Sequence, residues 1–470
     1  MCVHTKNPIL FLNFNKNDII KSEKMCVHTK KPIMMISRDK YLNQLIKAKN
    51  NGFAKVVTGI RRCGKSYLLN TIFTEHLLKS GVKKQNIIFI DLTKISNSSF
   101  RDPINLYNHI LKLTSSNEGI SYVIIDEIQE VFPLINLSLT DGKHIKANSN
   151  DEEVITFVDV ILDLASKENI DLYVTGSNSK LLSTDIITEF RDRATNINLR
   201  PVSYSEFCEF KGSNSETILN EYLIYGGMPL AIFKDGVEKE NYLKGLFEAT
   251  YIRDIIEKNR IGKKEALDEI SIFLSTCVGD LTNSSKLAKL YETKRGKKID
   301  EDTINSYINY FLDSFILEEA FRYDLKGKRI IGSTKKYYYT DLGLRNSRVN
   351  FVYEDKGKLL ENLIYNELIY NDYKVNVGTF DVFSKDQNNK TTRQSLEIDF
   401  LAIKNRRMYY IQVCDNYSSK STIQREIKPY IALNDQITKI IVVNDSIGEF
   451  RDEHGFTVIG INDFLLRYIK

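Results

Sequence analysis

The sequence predicts an α/β fold in which a parallel sheet with helices on both faces precedes a helical module and a second, smaller α/β unit. Three observations predict it. Between residues 54 and 176 the apolar runs AKVVTGI, NIIFIDL, YVIIDEI and DLYVTGS alternate with amphipathic stretches, the pattern of buried parallel strands joined by helices. The stretch GIRRCGKS follows the first of these strands directly. From about residue 262 the pattern changes to helices, then an aromatic, lysine-rich hairpin, then helix and strands again.

The bulk numbers agree. A chain of 470 residues exceeds the roughly 250–300 at which single cores stop growing, so several domains are expected. The composition, 42% hydrophobic and 27% charged with a net charge of +5, suits a globular protein and carries no strongly basic signature of a nucleic-acid binder. No apolar run reaches the ~18 residues of a membrane span, so no membrane partner is expected. The six cysteines, at 2, 26, 63, 208, 277 and 414, contain no C-x-x-C pair. Neither zinc nor a disulfide framework is implied, and reduced thiols fit a cytoplasmic location. MCVHTKNPI at 1–9 recurs as MCVHTKKPI at 25–33. This reads as a duplicated, disordered leader (1–34), dispensable ahead of a chain that begins near Met34 or Met35.

Within the first α/β segment, YLLNTIFTEHLLKS, DPINLYNHILKL and EEVITFVDVILDLAS carry apolar residues at spacings of three and four, as helices do. The polar stretch 134–153 is long for a connection and is expected to be functional or disordered. After 262, LDEISIFLSTCVG, SSKLAKLYE and DEDTINSYINYFLDSFILEEA read as three helices. A hairpin follows with LKGK and GSTKK as turns, and together these describe a winged helix. The expected division is a core at 35–200, a helical lid or linker at 201–261, a winged-helix domain at 262–348 and an α/β domain at 349–470.

Gly59-x4-Gly64-Lys65-Ser66 has the spacing of a phosphate loop: glycines let backbone N–H groups turn inward, and the helix that follows aims its positive end at the same anion. Lys65 supplies a point charge for β/γ oxygens and the Ser66 hydroxyl a Mg²⁺ ligand. The expected ATP-binding stretch is Gly59, Ile60, Arg61, Arg62, Cys63, Gly64, Lys65, Ser66 and Tyr67. YVIIDEIQ delivers Asp126 and Glu127 at a strand end. Asp126 is the expected second metal residue and Glu127 the residue that polarises the attacking water; the alternative is an ordinary acidic pair. Ser177 and Asn178, at the end of DLYVTGSNS, stand where they can meet a γ-phosphate, although Ser and Asn are also common turn residues.

GIRRCGKS, IIDEIQ, TGSNSKLLS, FRDRATNINLRPVSYSEF, YGGMP and YIRDII, in that order, resemble the AAA-type ATPases of bacteria and archaea that carry a C-terminal domain of unknown function. The resemblance covers about residues 35–470, with PVSYSEF and YGGMP its specific part. It implies ATP and Mg²⁺ as cofactors and hydrolysis as the activity. Asn178 matches a polar sensor position. Arg193 matches an arginine that acts in cis or on a neighbouring subunit, which would make the protein a homo-oligomer; Asp192 stands where glycine is commoner. The alternative for Arg193 is an ion pair with Glu189. Arg253 is a weaker candidate of the same kind.

In the tail, Glu361, then Asp399 in EIDF, then YYIQVC resemble the PD-(D/E)xK nuclease fold. Gln412 stands where that fold has a second carboxylate, and Cys414 stands in place of its lysine. An amide is a poor Mg²⁺ ligand, so a nuclease-like domain that does not cut is expected. DNA is one candidate partner of the winged helix, through Lys326, Lys328, Arg329, Lys335 and Lys336. A protein partner is the other, because the third helix is acidic.

Overall fold

The computed structural model describes residues 36–148, 151–177, 193–352, 355–385, 391–415, 417, 420–433 and 435–470. The duplicated leader, Asn178, Glu189 and Asp192 lie outside these residues.

All four expected strands of the first segment form: β1 Ala54–Thr58, β2 Ile87–Asp91, β3 Ser121–Asp126 and, past a two-residue ribbon of β4 Leu134–Ile135 and β5 Val154–Ile155, β6 Ile170–Gly176. A fifth, β7 Ala194–Asn198, completes a wholly parallel sheet in the order β2-β3-β6-β1-β7. β1, β3 and β6 are buried at every position, which is why they read as unbroken apolar runs. Val56, Ile90, Val123 and Val174 meet Leu106, Ile110 and Ile161 of the covering helices in one cluster. Those helices start where the sequence supplies caps. The Asp102 carboxylate accepts from Ile104 and Asn105 N–H at 3.0 Å, and Thr156 with Asp159 forms a capping box.

Residues 204–259 are mostly helical, and the two motifs that carry the family resemblance turn out to build a buried junction. In PVSYSEF, Ser203 and Glu206 are a capping box that opens helix Tyr204–Lys211. In YGGMP, a Cβ on Gly227 would lie 1.9 Å from the Val202 carbonyl oxygen and one on Gly226 2.5 Å from the Asp341 carboxylate, so neither position has room for a side chain. Asp341 accepts from Gly227 N–H at 2.6 Å and from Leu344 N–H at 3.0 Å, capping the buried helix Leu342–Arg348.

Burial pushes the Asp341 carboxyl from 3.8 up to about 6, and burial likewise pushes Glu367, which accepts Tyr204 N–H at 2.7 Å, up to about 7. A carboxyl raised on folding holds its proton longer in the folded state. Stability contributed by these groups is therefore present below the unfolded pKa and falls as pH rises toward the folded one. For Asp341 that window is roughly pH 4–6 and the loss about 3 kcal/mol. Asp341→Asn is expected to flatten the pH dependence of the urea midpoint across this window; an unchanged slope would assign the titration elsewhere.

Helices Lys264–Thr276, Ser284–Arg295 and Glu301–Asp313 precede β8 Leu317–Asp324 and β9 Arg329–Tyr339. Two expectations change here. The third helix stops at Asp313, since Phe315 adopts φ +56° and turns the chain into a strand. GSTKK is no turn but part of β9, whose register with β8 shifts between Phe321 and Arg322. The division at 348/349 is crossed by a single sheet. β8 pairs in parallel with β10 Lys374–Lys385, and β11 Thr391–Lys404, β12 Arg407–Cys414, β13 Thr438–Val443, β14 Phe450–Arg451 and β15 Thr457–Gly460 complete eight strands in the order β14-β15-β13-β12-β11-β10-β8-β9. Ser37–Lys470 forms one compact unit.

Candidate functional site

The loop between β1 and the helix that starts at Lys65 is shaped by three left-handed residues: Gly59 at φ +142°, Arg62 at +65° and Gly64 at +101°. Gly59 cannot be replaced, because a Cβ would stand 2.0 Å from the Leu199 carbonyl oxygen. Leu199 directly follows β7 and clamps the loop. Its N–H donates to the Thr58 carbonyl at 2.7 Å, and its carbonyl accepts from Cys63 Sγ at 3.3 Å. Ile60 and Cys63 are buried, and burial pushes the Cys63 thiol up, so these two side chains anchor the loop. Arg62 and Tyr67 are exposed.

Lys65 is buried, its ammonium 3.0 and 3.2 Å from the carbonyl oxygens of Gly59 and Ile60. Ser66 Oγ donates to Asp126 Oδ2 at 2.7 Å, and Thr175 Oγ1 donates to Asp126 Oδ1 at 2.5 Å. Burial raises the Asp126 carboxyl, and the two hydroxyls oppose that rise. Glu127 sits in the left-handed region at φ +56°, a conformation that costs a non-glycine residue about 1–3 kcal/mol and is over-determined here. Its N–H donates to Thr175 Oγ1 at 2.9 Å, while its Oε2 accepts from the Gln129 amide and from Ser177 Oγ at 3.1 Å. Thus Lys65, Ser66, Asp126 and Glu127 are brought together at the carboxyl ends of β1 and β3.

The residues fit a nucleotide–Mg²⁺ group on two counts. Ser66 and Asp126 already face each other as oxygen donors, the kind a hard cation takes. Gly59 and Gly64 hold the loop in conformations that other residues avoid.

Arg193 is not brought to this site. It precedes β7, and its carbonyl accepts from Ala54 N–H at the start of β1. In a parallel sheet that is the amino end of the strands, opposite the loop and roughly 17 Å away at ~3.3 Å per residue. A role for this arginine on its own subunit's nucleotide is therefore corrected. Arg253 pairs with Glu257 at 2.6 Å on an exposed helix face.

Its neighbours in YIRDII matter instead. Tyr251 OH donates to the Arg61 carbonyl at 2.8 Å, and Arg61 forms an ion pair with Asp254. A cleft of about 390 Å³ opens beside the loop, lined by Arg61, Gln129, Ser177, Asp254 and Tyr310 among others. Thr175, Gln129, Tyr251 and Asp254 were missed from the sequence. Thr175 and Gln129 carried a usable signal, lying within the strand-end motifs VTGS and DEIQ.

In the tail, Gln412 is buried, its Oε1 accepting from Asp399 N–H at 3.4 Å and its Nε2 donating to Glu426 at 2.9 Å. Cys414 is buried as well. Among the described residues no group of three or more His, Cys, Asp and Glu is placed to hold a metal, and no helix is long and apolar enough to cross a membrane.

Parallel order, glycine loop and paired strand-end acids define a P-loop ATPase-like domain. Residues 51–208 match the family described as AAA domain, and residues 216–354 match a domain of unknown function, DUF8612. An uncharacterized protein of Haemophilus influenzae is 30% identical over 439 residues, spanning 92% of this chain and 99% of that one. Another, from Methanocaldococcus jannaschii, is 28% identical over 426 residues, 87% of this chain and 84% of its own. Among solved structures, a Walker-type ATPase of Pyrococcus abyssi is similar at a TM-score of 0.44 and 15% identity, covering 67% of this chain and 96% of that one. The chain belongs to the family of the Haemophilus protein, with an AAA domain followed by a domain of unknown function.

Proposed function

We propose that the protein binds ATP with Mg²⁺ at the 59–67 loop and hydrolyses it, and that the nucleotide state moves the segments downstream of residue 200. The observation that carries this reading is the preassembled quartet: Lys65 inside its loop, Ser66 on Asp126, and Glu127 held by three partners. Mg²⁺, when bound, neutralises charge on the phosphates; Ser66 and Asp126 are the residues that would hold it. Lys65 binds the phosphate oxygens. Glu127 accepts the proton of the attacking water, and its carboxylate is aimed by Gln129 and Ser177 rather than by chance rotation.

The contacts of Arg61 with Tyr251 and Asp254 support transmission from the loop to the 201–261 helices, since any movement of the loop backbone pulls on both. A winged-helix reading of 262–348 is supported by the three helices and the β8–β9 hairpin. A non-cleaving nuclease-like reading of 349–470 rests on Gln412 and Cys414. DNA contact would fall to Lys326, Lys328 and Arg329, which are exposed, because Lys335 is paired with Glu319 at 2.8 Å and Lys336 is buried. Three exposed cations favour a protein partner over DNA. A neighbouring subunit's nucleotide is the target left to Arg193, which makes a homo-oligomer part of this reading, and a cytoplasmic location fits the free cysteines.

The test is Lys65→Ala. Removing the ammonium is expected to abolish ATP binding at micromolar nucleotide and to leave the thermal midpoint of the nucleotide-free protein within a few degrees. Turnover equal to that of the unaltered protein would overturn the site.

A further inference from the structure

With Arg193 at the amino end of the sheet, Arg61 is the arginine on the Glu127 side of the phosphate loop. It lines the cleft of about 390 Å³ together with Gln129 and Ser177, the two side chains that hold the Glu127 carboxylate. Burial works to lower the pKa of the Arg61 guanidinium, and Asp254, then Glu127 and Glu130, more than offset it. The charge is therefore kept, and it faces the acid that would activate water. The other loop arginine lies elsewhere: burial raises the Tyr242 hydroxyl, and Arg62 beside it opposes that rise. Two features suit a side chain that moves on a fixed backbone. The Arg61 carbonyl is held by the OH of buried Tyr251 at 2.8 Å. The ion pair with Asp254, from the helix Arg253–Asn259, is by contrast open to water, its side chains 44% and 42% exposed. An exposed pair of this kind holds its partners together by about fivefold at most. A phosphoryl group offers the planar guanidinium two parallel N–H···O bonds and a stronger contact.

We propose that Arg61 is a catalytic arginine for its own subunit's ATP, exchanging Asp254 for the γ-phosphoryl oxygens during hydrolysis. The inference rests on the ATPase reading of the loop. In that reaction the water oxygen bonds to the γ-phosphorus as that phosphorus parts from the oxygen bridging it to the β-phosphate. The electron pair of the broken bond leaves on ADP, and the water's proton goes to Glu127. Arg61 stabilises the charge that spreads over the γ oxygens while the bond breaks. The exchange also ties chemistry to movement, because Asp254 and its helix are released as Arg61 turns to the phosphate.

The test uses the full chain in four forms: unaltered, Arg61→Ala, Arg61→Lys and Asp254→Asn. Each is measured for ADP binding, for binding of ADP with aluminium fluoride, which mimics the transferring phosphoryl group, and for single-turnover hydrolysis. Arg61→Ala is expected to keep ADP binding, to lose the tighter binding of the mimic, and to hydrolyse ATP about 10³-fold more slowly. Its thermal midpoint should move little, because the pair it breaks is exposed. Arg61→Lys keeps the charge without the fork and is expected to recover only part of both losses. Asp254→Asn frees the arginine, so it is expected to hydrolyse ATP at least as fast as the unaltered chain and to bind the mimic up to about fivefold tighter. An Arg61→Ala chain that matches the unaltered one in both mimic binding and turnover would overturn this inference and leave the ATPase reading standing. Equal losses in Arg61→Ala and Asp254→Asn would overturn it as well, since they assign the effect to the ion pair. Loss of ADP binding in Arg61→Ala would do the same, by making the arginine an anchor of the loop. An unaltered chain that binds neither ADP nor ATP would instead overturn the reading, and this inference with it.

Discussion

Glu127→Gln is expected to lower ATP turnover about 10²–10⁴-fold, the contribution of a positioned general base, while ATP affinity stays near that of the unaltered protein. The barrier rises by about 3–5 kcal/mol on that scale. Affinity is retained because the phosphate contacts belong to the loop and Lys65, while the hydrogen bonds of Glu127 run to Thr175, Gln129 and Ser177. The fold is retained too. Thr175 holds the backbone N–H of residue 127 whatever its side chain, and a glutamine carbonyl oxygen still accepts from Gln129 and Ser177. What glutamine lacks is the anionic oxygen that takes a proton. The measurement is single-turnover hydrolysis beside equilibrium binding of a fluorescent ATP analogue. Equal loss in both would move Glu127 from chemistry to binding, and no loss in either would remove it from the site.

The loop and its acids were legible because each function rests on a short local string. Gly59-x4-Gly64-Lys65-Ser66 needs only its own backbone geometry. IIDE needs only to end a buried strand, and the apolar runs on either side supplied that context. Which end of the sheet holds Arg193 was not legible, for a matching reason. Its neighbours in sequence say nothing about which end of the sheet it occupies. That depends on β7 running parallel to β1, a pairing across more than 130 residues, and β7 itself reads ATNIN with a single buried position. The residues that orient the acids, Thr175 and Gln129, were within view, but their partners were not.

The C-terminal half was less legible because its organisation lies in strand pairing. The three helices after 262 were legible from their periods, but the first stops at Thr276, short of the expected CVG, and the third at Asp313, where a left-handed phenylalanine ends the helix without the glycine that would have marked it. The register of β8 with β10 pairs Arg322, Tyr323 and Asp324 with Val377, Gly378 and Thr379. No local pattern announces so short a parallel contact, yet it fuses the hairpin and the tail into one sheet. Lys336 illustrates the same limit. In GSTKK it looks like a solvated turn cation, and only tertiary placement turns it into a buried ion among Glu361, Glu397 and Asp399.

Asp171→Ala is expected to destabilise the protein by about 3–5 kcal/mol, the cost of leaving a buried charge without its partner. Lys55 is the second residue of β1, fully inaccessible, and its ammonium forms an ion pair with Asp171 on the adjacent β6. Burial pulls the Lys55 pKa down and Asp171 opposes it. Tyr173 OH and Asn50 N–H also donate to the same carboxylate, at 2.8 and 3.1 Å, so alanine orphans three donors at once. Against a typical total stability of about 5–15 kcal/mol, such a loss leaves little margin. β1 lies between β6 and β7 and carries the phosphate loop at its end, so the same change should weaken ATP binding in whatever fraction remains folded. Two controls separate charge from packing. Asp171→Asn keeps an acceptor and is expected to lose less, and Lys55→Met with Asp171→Leu removes both charges and is expected to recover most of the midpoint in urea. If Asp171→Ala alone matched the double change, the ion pair would contribute nothing, and the lysine in AKVVTGI would be an accident of the strand rather than its anchor.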